Sequence, residues 1–339
     1  MKLLHTSDWH LGRALYGRKR NTEFSHFLSW MLDTLSREEI DVLIISGDIF
    51  DTTTPSNWAQ NLYYQFLTNA QNTGCNHIII TAGNHDSASF LEAPAGILKT
   101  MNIHVIGSIE DDINTEIISI TNKDNELQLI VCAVPYLRER DIRFSGPGET
   151  IEEKSAKLVQ GIERHYSEVV KQAVKVRDSA DKTVPIIAMG HLFAAGGQSV
   201  TGDGMRELYV GSLAHVPASI FPKEIDYLAL GHLHSSQIVA QNEAIRYCGC
   251  PLPMSFSETT ATKKIVIITC NKQIESINSL DVPCFQSLAT ISGNFDQLLE
   301  SIERLKKKNS SVWLEIQYTC LLYTSPSPRD CGPDLVWRL

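Results

Sequence analysis

Five short apolar runs in this chain each stop at a loop that carries aspartate, asparagine or histidine. Residues 2–6 lead into Ser7-Asp8-Trp9-His10-Leu11-Gly12, and residues 41–46 into Gly47-Asp48-Ile49-Phe50-Asp51. Residues 77–82 lead into Gly83-Asn84-His85-Asp86, residues 184–189 into Gly190-His191, and residues 225–230 into Gly231-His232-Leu233-His234. A brief apolar run bounded by turn residues reads as a buried strand. Open α/β sheets place their sites on loops at the carboxyl ends of strands. The pattern therefore demands buried strands that deliver their polar loops to one face.

Helical segments separate the first three runs. Asn21-Thr22-Glu23 opens one on which Phe24, Phe27, Leu28, Met31, Leu32 and Leu35 recur at helical spacing. A second spans residues 56–72 with Trp58, Leu62, Tyr63, Phe66 and Leu67, and Gly74 ends it. Strand, helix, strand, helix, strand is a parallel α/β unit with right-handed crossovers. Residues 103–106, 116–120 and 127–135 are expected to be strands of a more antiparallel stretch. Residues 149–177 form a helix with Leu158, Ile162, Tyr166, Val169 and Val170 on one face. The loop 194–205, rich in Gly and Ser, is expected to be mobile. Further short strands are expected at 237–240, 245–247, 264–269 and 273–279.

Three units follow from this pass: a large domain over 1–282, the start of a small αβ module over 283–318, and a tail over 319–339. The tail contains Ser325-Pro326-Ser327-Pro328, has no periodicity and is expected to be disordered. No apolar run reaches the 18 or more residues of a membrane span. The first residues turn polar too soon for a signal peptide. The eight cysteines show no disulfide spacing, and Cys248-Gly249-Cys250 is too tight for a CxxC site. Reduced thiols and a cytoplasmic location are expected. The net charge of −9 argues against broad adhesion to nucleic acid. Bound divalent ions would reverse that sign locally.

The loops together supply Asp8, His10, Asp48, Asn84, His85, His191, His232 and His234. Any one of these is most often a cap or a turn. Gathered at five strand ends, they form a metal-ligand set too large for one tetrahedral zinc. Mixed Asp, Asn and His donors without cysteine suit two borderline or hard divalent ions. Two such ions about 3.5–4 Å apart would hold a hydroxide and both sides of a phosphoryl group. Asp48, alone in its loop, is the candidate bridge. His85 has the titration range for proton transfer, and Asp86 is near enough in sequence to orient it or to serve only the turn. Arg13, Arg18, Lys19 and Arg20 follow the first loop; such a basic loop is usually solvated surface, and its place beside Asp8 and His10 makes these candidate phosphate contacts.

These motifs, in this order, resemble those of the calcineurin-like metallophosphoesterases. Thr6-Ser7-Asp8-Trp9-His10-Leu11-Gly12, Gly47-Asp48-Ile49-Phe50-Asp51 and Tyr247-Cys248-Gly249-x-Pro251 resemble the SbcD-type nuclease branch, over roughly residues 1–318. The resemblance implies a four-layer α/β/β/α sandwich with a small C-terminal αβ capping module, two Mn²⁺ ions and cleavage of DNA phosphodiesters. It implies one ion on Asp8, His10, Asp48 and His234, and the other on Asp48, Asn84, His191 and His232. His85 would then stabilise the transition state or protonate the leaving oxygen instead of binding metal. A homodimer and an SbcC-type, SMC-like ATPase partner are implied as well, with roles in DNA repair, recombination and replication. The family continues into helices that dock on that partner. No amphipathic helical stretch follows residue 318 here, so weak docking is expected. Two other readings share the same loops: a phosphoesterase for small phosphodiesters or phosphoproteins, and a non-catalytic scaffold.

Overall fold

The computed structural model describes residues 1–143, 148–180, 183–194, 216–259 and 261–319. Most of the loop expected to be mobile and nearly all of the expected tail lie outside the described residues.

The chain begins with β1 (Lys2–Thr6), a hairpin of β2 (Ala14–Leu15) and β3 (Arg18–Lys19), and α1 (Asn21–Arg37). It continues through β4 (Val42–Ser46), α2 (Asn57–Ala70), β5 (His77–Thr81), the short helices α3 (Ala88–Glu92) and α4 (Ala95–Lys99), and β6 (Ile103–Ile106). The second part holds β7 (Ile117–Thr121), β8 (Leu127–Ala133), α5 (Glu139–Ile142), α6 (Ile151–Ser179), β9 (Ile186–His191) and β10 (Tyr227–Gly231). After β11 (Gln237–Val239) and β12 (Asn242–Tyr247) come β13 (Lys264–Asn271) and β14 (Gln273–Asp281). The last elements are β15 (Leu288–Gly293), α7 (Phe295–Lys307) and β16 (Trp313–Tyr318).

Two six-stranded sheets result, with strand orders β14-β13-β1-β4-β5-β6 and β11-β12-β10-β9-β8-β7. In the first, β1, β4, β5 and β6 are parallel and β13 closes antiparallel on β1. In the second, β8, β9, β10 and β12 are parallel, with β7 and β11 antiparallel at the edges. The stretch read as antiparallel is thus mostly parallel: β6 lies parallel at the edge of the first sheet, β8 lies parallel to β9 in the second, and only β7 runs against its neighbour. Short strands between polar turns look alike in sequence whether or not the chain changes sheets.

The apolar runs are continuous because both of their faces are buried. Leu43, Ile45, Ile78 and Ile80 pack against Phe24, Phe27 and Met31 of α1 and Tyr63 and Phe66 of α2. The alternate residues Val42, Ile44 and Ile79 face the second sheet, meeting Leu129, Val131, Ile187 and Met189. On the far side of that sheet Ile162, Tyr166 and Val169 of α6 cover Ile130, Ile186 and Leu228. The layers are therefore α/β/β/α, as the resemblance implied. Ser56 caps α2 by accepting from the Ala59 amide, and Thr150 with Glu153 forms a capping box on α6.

The two sheets touch closely where their carboxyl ends meet. Ser46 Oγ, at the end of β4, donates to the Ala229 carbonyl of β10 at 3.0 Å. A β-carbon on Gly231 would sit 1.9 Å from the Ser46 carbonyl oxygen, so only glycine allows this approach. β15 and β16 pair in parallel beside α7 as a small αβ unit. It meets the hairpin where the Arg18 guanidinium lies 4.2 Å from the Trp313 ring centre and Tyr16 reaches Glu315.

Candidate metal centre

The loop after β1 is zipped to the loop after β4. The Asp8 amide donates to the Gly47 carbonyl and the His10 amide to the Asp48 carbonyl, each at 3.0 Å. Asp8, His10, Asp48 and His232 all have left-handed backbone, with φ of 53°, 47°, 52° and 101°. Such conformations cost a non-glycine residue roughly 1–2 kcal/mol each. Their concentration at one site marks a functional constraint. Gly83 is held to the same tolerance, because a β-carbon there would lie 2.2 Å from Asp48 Oδ1.

Seven of the expected ligands converge from both sheets. Asp48 Oδ2 lies 3.6 Å from His10 Nε2 and 3.4 Å from His191 Nε2. Its other oxygen accepts the His85 amide at 2.9 Å. His10 Nε2 and His234 Nε2 face each other at 3.1 Å, and His191 Nε2 is 3.0 Å from Asn84 Oδ1. The ligand atoms of Asp8, His10 and His234 all lie within 4.8 Å of one another, as do those of Asp8, Asp48 and His191. His232 belongs to neither trio; its ring stands edge-on to His191 with centroids 5.5 Å apart, and its amide donates to Asp8. His191 donates from Nδ1 to the Ser46 carbonyl at 3.0 Å, which turns Nε2 toward Asp48. Buried carboxylates, imidazoles and an amide oxygen at these separations fit two divalent cations.

The electrostatics say the same. Burial alone would push the His191 pKa down, but the Asp48 carboxylate outweighs it and lifts it to about 9. Asp48 is itself buried, yet His191 and His10 hold it well below the usual carboxylate range. Burial pushes Asp8 up to about 6, with Asp48 adding to the rise. Burial and the His191 charge bring His232 down to about 3. His191 thus carries a proton near neutral pH when no metal is bound, and metal binding at Nε2 would release it.

His85 sits at the edge of the cage. It shares a cluster with His10 and Asp51, and its ring lies 4.8 Å from that of His10. Its Nδ1 donates to the Asp51 carbonyl at 2.9 Å. Asp86, considered as its orienting group, does something else: its carboxylate accepts the amides of Gly83, Ile49 and Phe50 at 2.9, 3.1 and 2.9 Å. It brackets the loops after β4 and β5, and burial, then Asp48, pushes its pKa up to about 6.

The basic positions divide. Arg20 is corrected: only 2% exposed, its guanidinium is bound to both carboxylate oxygens of Glu23 at 2.7 Å and to the Pro253 carbonyl at 2.6 Å. It closes the core under α1 and is not open to DNA. Arg13 pairs with Asp51 at 3.2 Å beside the cage, Arg18 lies against Trp313, and Lys19 is exposed. Asp51 was visible in the sequence only as the end of the second motif. Its carboxylate lies 3.6 Å from His10 Nδ1, and its carbonyl holds His85. Ser7, which donates to Asp8 Oδ2, had no distinguishing signal.

Comparison with known proteins agrees with this geometry. Residues 1–236 match the family described as calcineurin-like phosphoesterase. The SbcD subunit of the SbcCD nuclease from Escherichia coli (strain K12) is 37% identical over 322 residues, covering 94% of this chain and 78% of that one. Its counterpart of the same name from Bacillus subtilis (strain 168) is 34% identical over 79% of this chain and 66% of its own length. That from Rhodobacter capsulatus is 34% identical over 76% and 64%. Among the described residues no helix is long and apolar enough to cross a membrane.

Proposed function

The chain belongs to the calcineurin-like phosphoesterases, on the branch of the SbcD nuclease subunits, and from that membership we propose that it is a two-metal nuclease cutting DNA ends and hairpins. The observation that carries this is the placement of Asp48 Oδ2 between His10 Nε2 and His191 Nε2, as a bridging carboxylate requires. Asp8, His10, Asp48 and His234 would hold one ion, and Asp48, Asn84, His191 and His232 the other, with Mn²⁺ the proposed metal. When bound, such ions neutralise phosphate oxygens and make water a nucleophile at neutral pH. The chain's own groups do the rest. Asn84 contributes a neutral oxygen, which limits the negative charge that a phosphodiester must approach. His85, fixed through Nδ1, would deliver a proton from Nε2 to the departing 3′-oxygen. Arg13, Arg18 and Lys19 supply positive charge for the phosphate backbone.

We further propose a cytoplasmic homodimer working with an SbcC-type, SMC-like ATPase. Residues 1–282 would form the nuclease domain and 283–318 the start of the capping domain.

The test is cleavage of hairpin and duplex-ended DNA by chelator-stripped chain with Mn²⁺ added back. Salt-sensitive, Mn²⁺-dependent cutting that Asp48→Asn abolishes supports the reading. Hydrolysis of small phosphodiesters with no DNA cutting would replace it with the general phosphoesterase.

A further inference from the structure

A third cluster with metal-ligating chemistry lies beneath the centre: His234, Cys250 and Glu258, whose ligand atoms also fall within 4.8 Å of one another. It already holds a cation. The ammonium of Lys263, a residue only 8% exposed, lies 3.2 Å from Cys250 Sγ and 3.3 Å from the His234 carbonyl oxygen, and is paired with Glu258 Oε2. Glu258 is 3% exposed, and its other oxygen accepts the Met254 amide at 3.1 Å. The Cys250 amide also donates to the His234 carbonyl at 3.1 Å, and the Cys250 thiol lies 3.4 Å from that oxygen and 3.1 Å from the Leu252 carbonyl. Two N–H donors, with the thiol beside them, thus converge on one carbonyl, that of the residue whose ring faces His10 across the cage. Gly249, at φ +79°, packs against the same oxygen, and a β-carbon there would stand 2.8 Å from it.

A buried ion pair is a costly way to stabilise a fold, and apolar residues of equal volume often do better. Its value lies in fixing geometry, and here that geometry is the backbone of a ligand. Lys263 directly precedes β13, the strand paired with β1, whose loop carries Asp8 and His10. We propose that Lys263 and Glu258 are positioning residues of the metal centre, which lock the His234 carbonyl and so set how tightly the ion shared by Asp8, His10 and His234 is held. This rests on the two-ion reading above.

The experiment is a Mn²⁺ titration of the chelator-stripped full chain, following free Mn²⁺ by electron paramagnetic resonance, for wild type, Lys263→Met and Lys263→Arg. Wild type takes up two ions. Lys263→Met weakens one of them about tenfold or more, as loss of outer-shell support does, and leaves the other within about twofold. Lys263→Arg recovers most of the loss. Cleavage by Lys263→Met returns at high Mn²⁺ with KM for DNA unchanged. Should Lys263→Met fail to fold, Cys250→Ala decides: it removes the sulfur that accepts from the Lys263 ammonium and keeps the ion pair, and gives a smaller loss at the same ion that Cys250→Ser reverses. Two ions bound with wild-type affinity in these variants overturn the inference alone. A wild type that takes up no Mn²⁺ overturns the two-ion reading and the inference with it.

Discussion

His85 is held by the backbone of Asp51: its Nδ1 lies 2.9 Å from that residue's carbonyl oxygen. A carbonyl only accepts, so Nδ1 keeps its proton and proton exchange with a substrate falls to Nε2. Because the anchor is main chain, no side-chain change at Asp51 removes it. His85→Ala is expected to bind both metals as wild type does and to lower kcat on DNA by about 10²–10⁴-fold. Metal titration beside single-turnover cleavage checks this; an unchanged rate would take His85 out of the mechanism.

Arg20 and Lys19 are adjacent in sequence and opposite in role. Arg20→Ala breaks a buried pair with Glu23 and is expected to cost about 3–5 kcal/mol of stability. Lys19→Ala leaves the melting temperature alone and lowers the salt slope of DNA binding by about one. Denaturant melts and binding isotherms at several salt concentrations separate the two. A stable Arg20→Ala with weakened DNA binding would reverse the assignment.

Gly83→Ala places a methyl group on the Asp48 carboxylate. The expected result is about 1–3 kcal/mol of destabilisation from overpacking, together with weaker metal uptake. A variant with wild-type melting and metal stoichiometry would show that the loop after β5 can retreat.

His5 makes the metal-free fold sensitive to acid. Burial brings its pKa down to about 3, while its Nδ1 bonds Tyr227 Oη at 2.9 Å. The unfolded chain takes up this proton near pH 6.5 and the folded chain only near 3. Stability therefore falls as pH drops through that window, by up to about 1.4 kcal/mol per pH unit. Asp8 and Asp86, both pushed up to about 6, act in the opposite direction. The difference between wild type and His5→Gln isolates the histidine, and it should shrink steadily from about pH 6.5 to about pH 4. A constant difference would contradict the neutral, buried imidazole.

Much of this was legible in the sequence. Continuous apolar runs such as Ile78-Ile79-Ile80 announce strands buried on both faces, and a polar loop at each strand end announces the site. What could not be read was which neighbours in sequence stay neighbours in space. Asp86 adjoins His85 but turns to the amides of Ile49 and Phe50, while Asp51, thirty-four positions away, holds the ring. Arg20 sits in a basic run, yet Glu23, one helical turn on, takes it inward. Lys263 follows His234 by twenty-nine positions and belongs to no motif. Each of these depends on where a side chain points, which strand and helix periodicity does not encode.

The cage draws Asp8, His10, Asp48 and Asn84 from one sheet and His191, His232 and His234 from the other. Neither half of the chain owns a working set. The first sheet is itself incomplete until β13, synthesised after every one of these groups, lays its edge against β1. Until both sheets have closed, these seven side chains do not stand together.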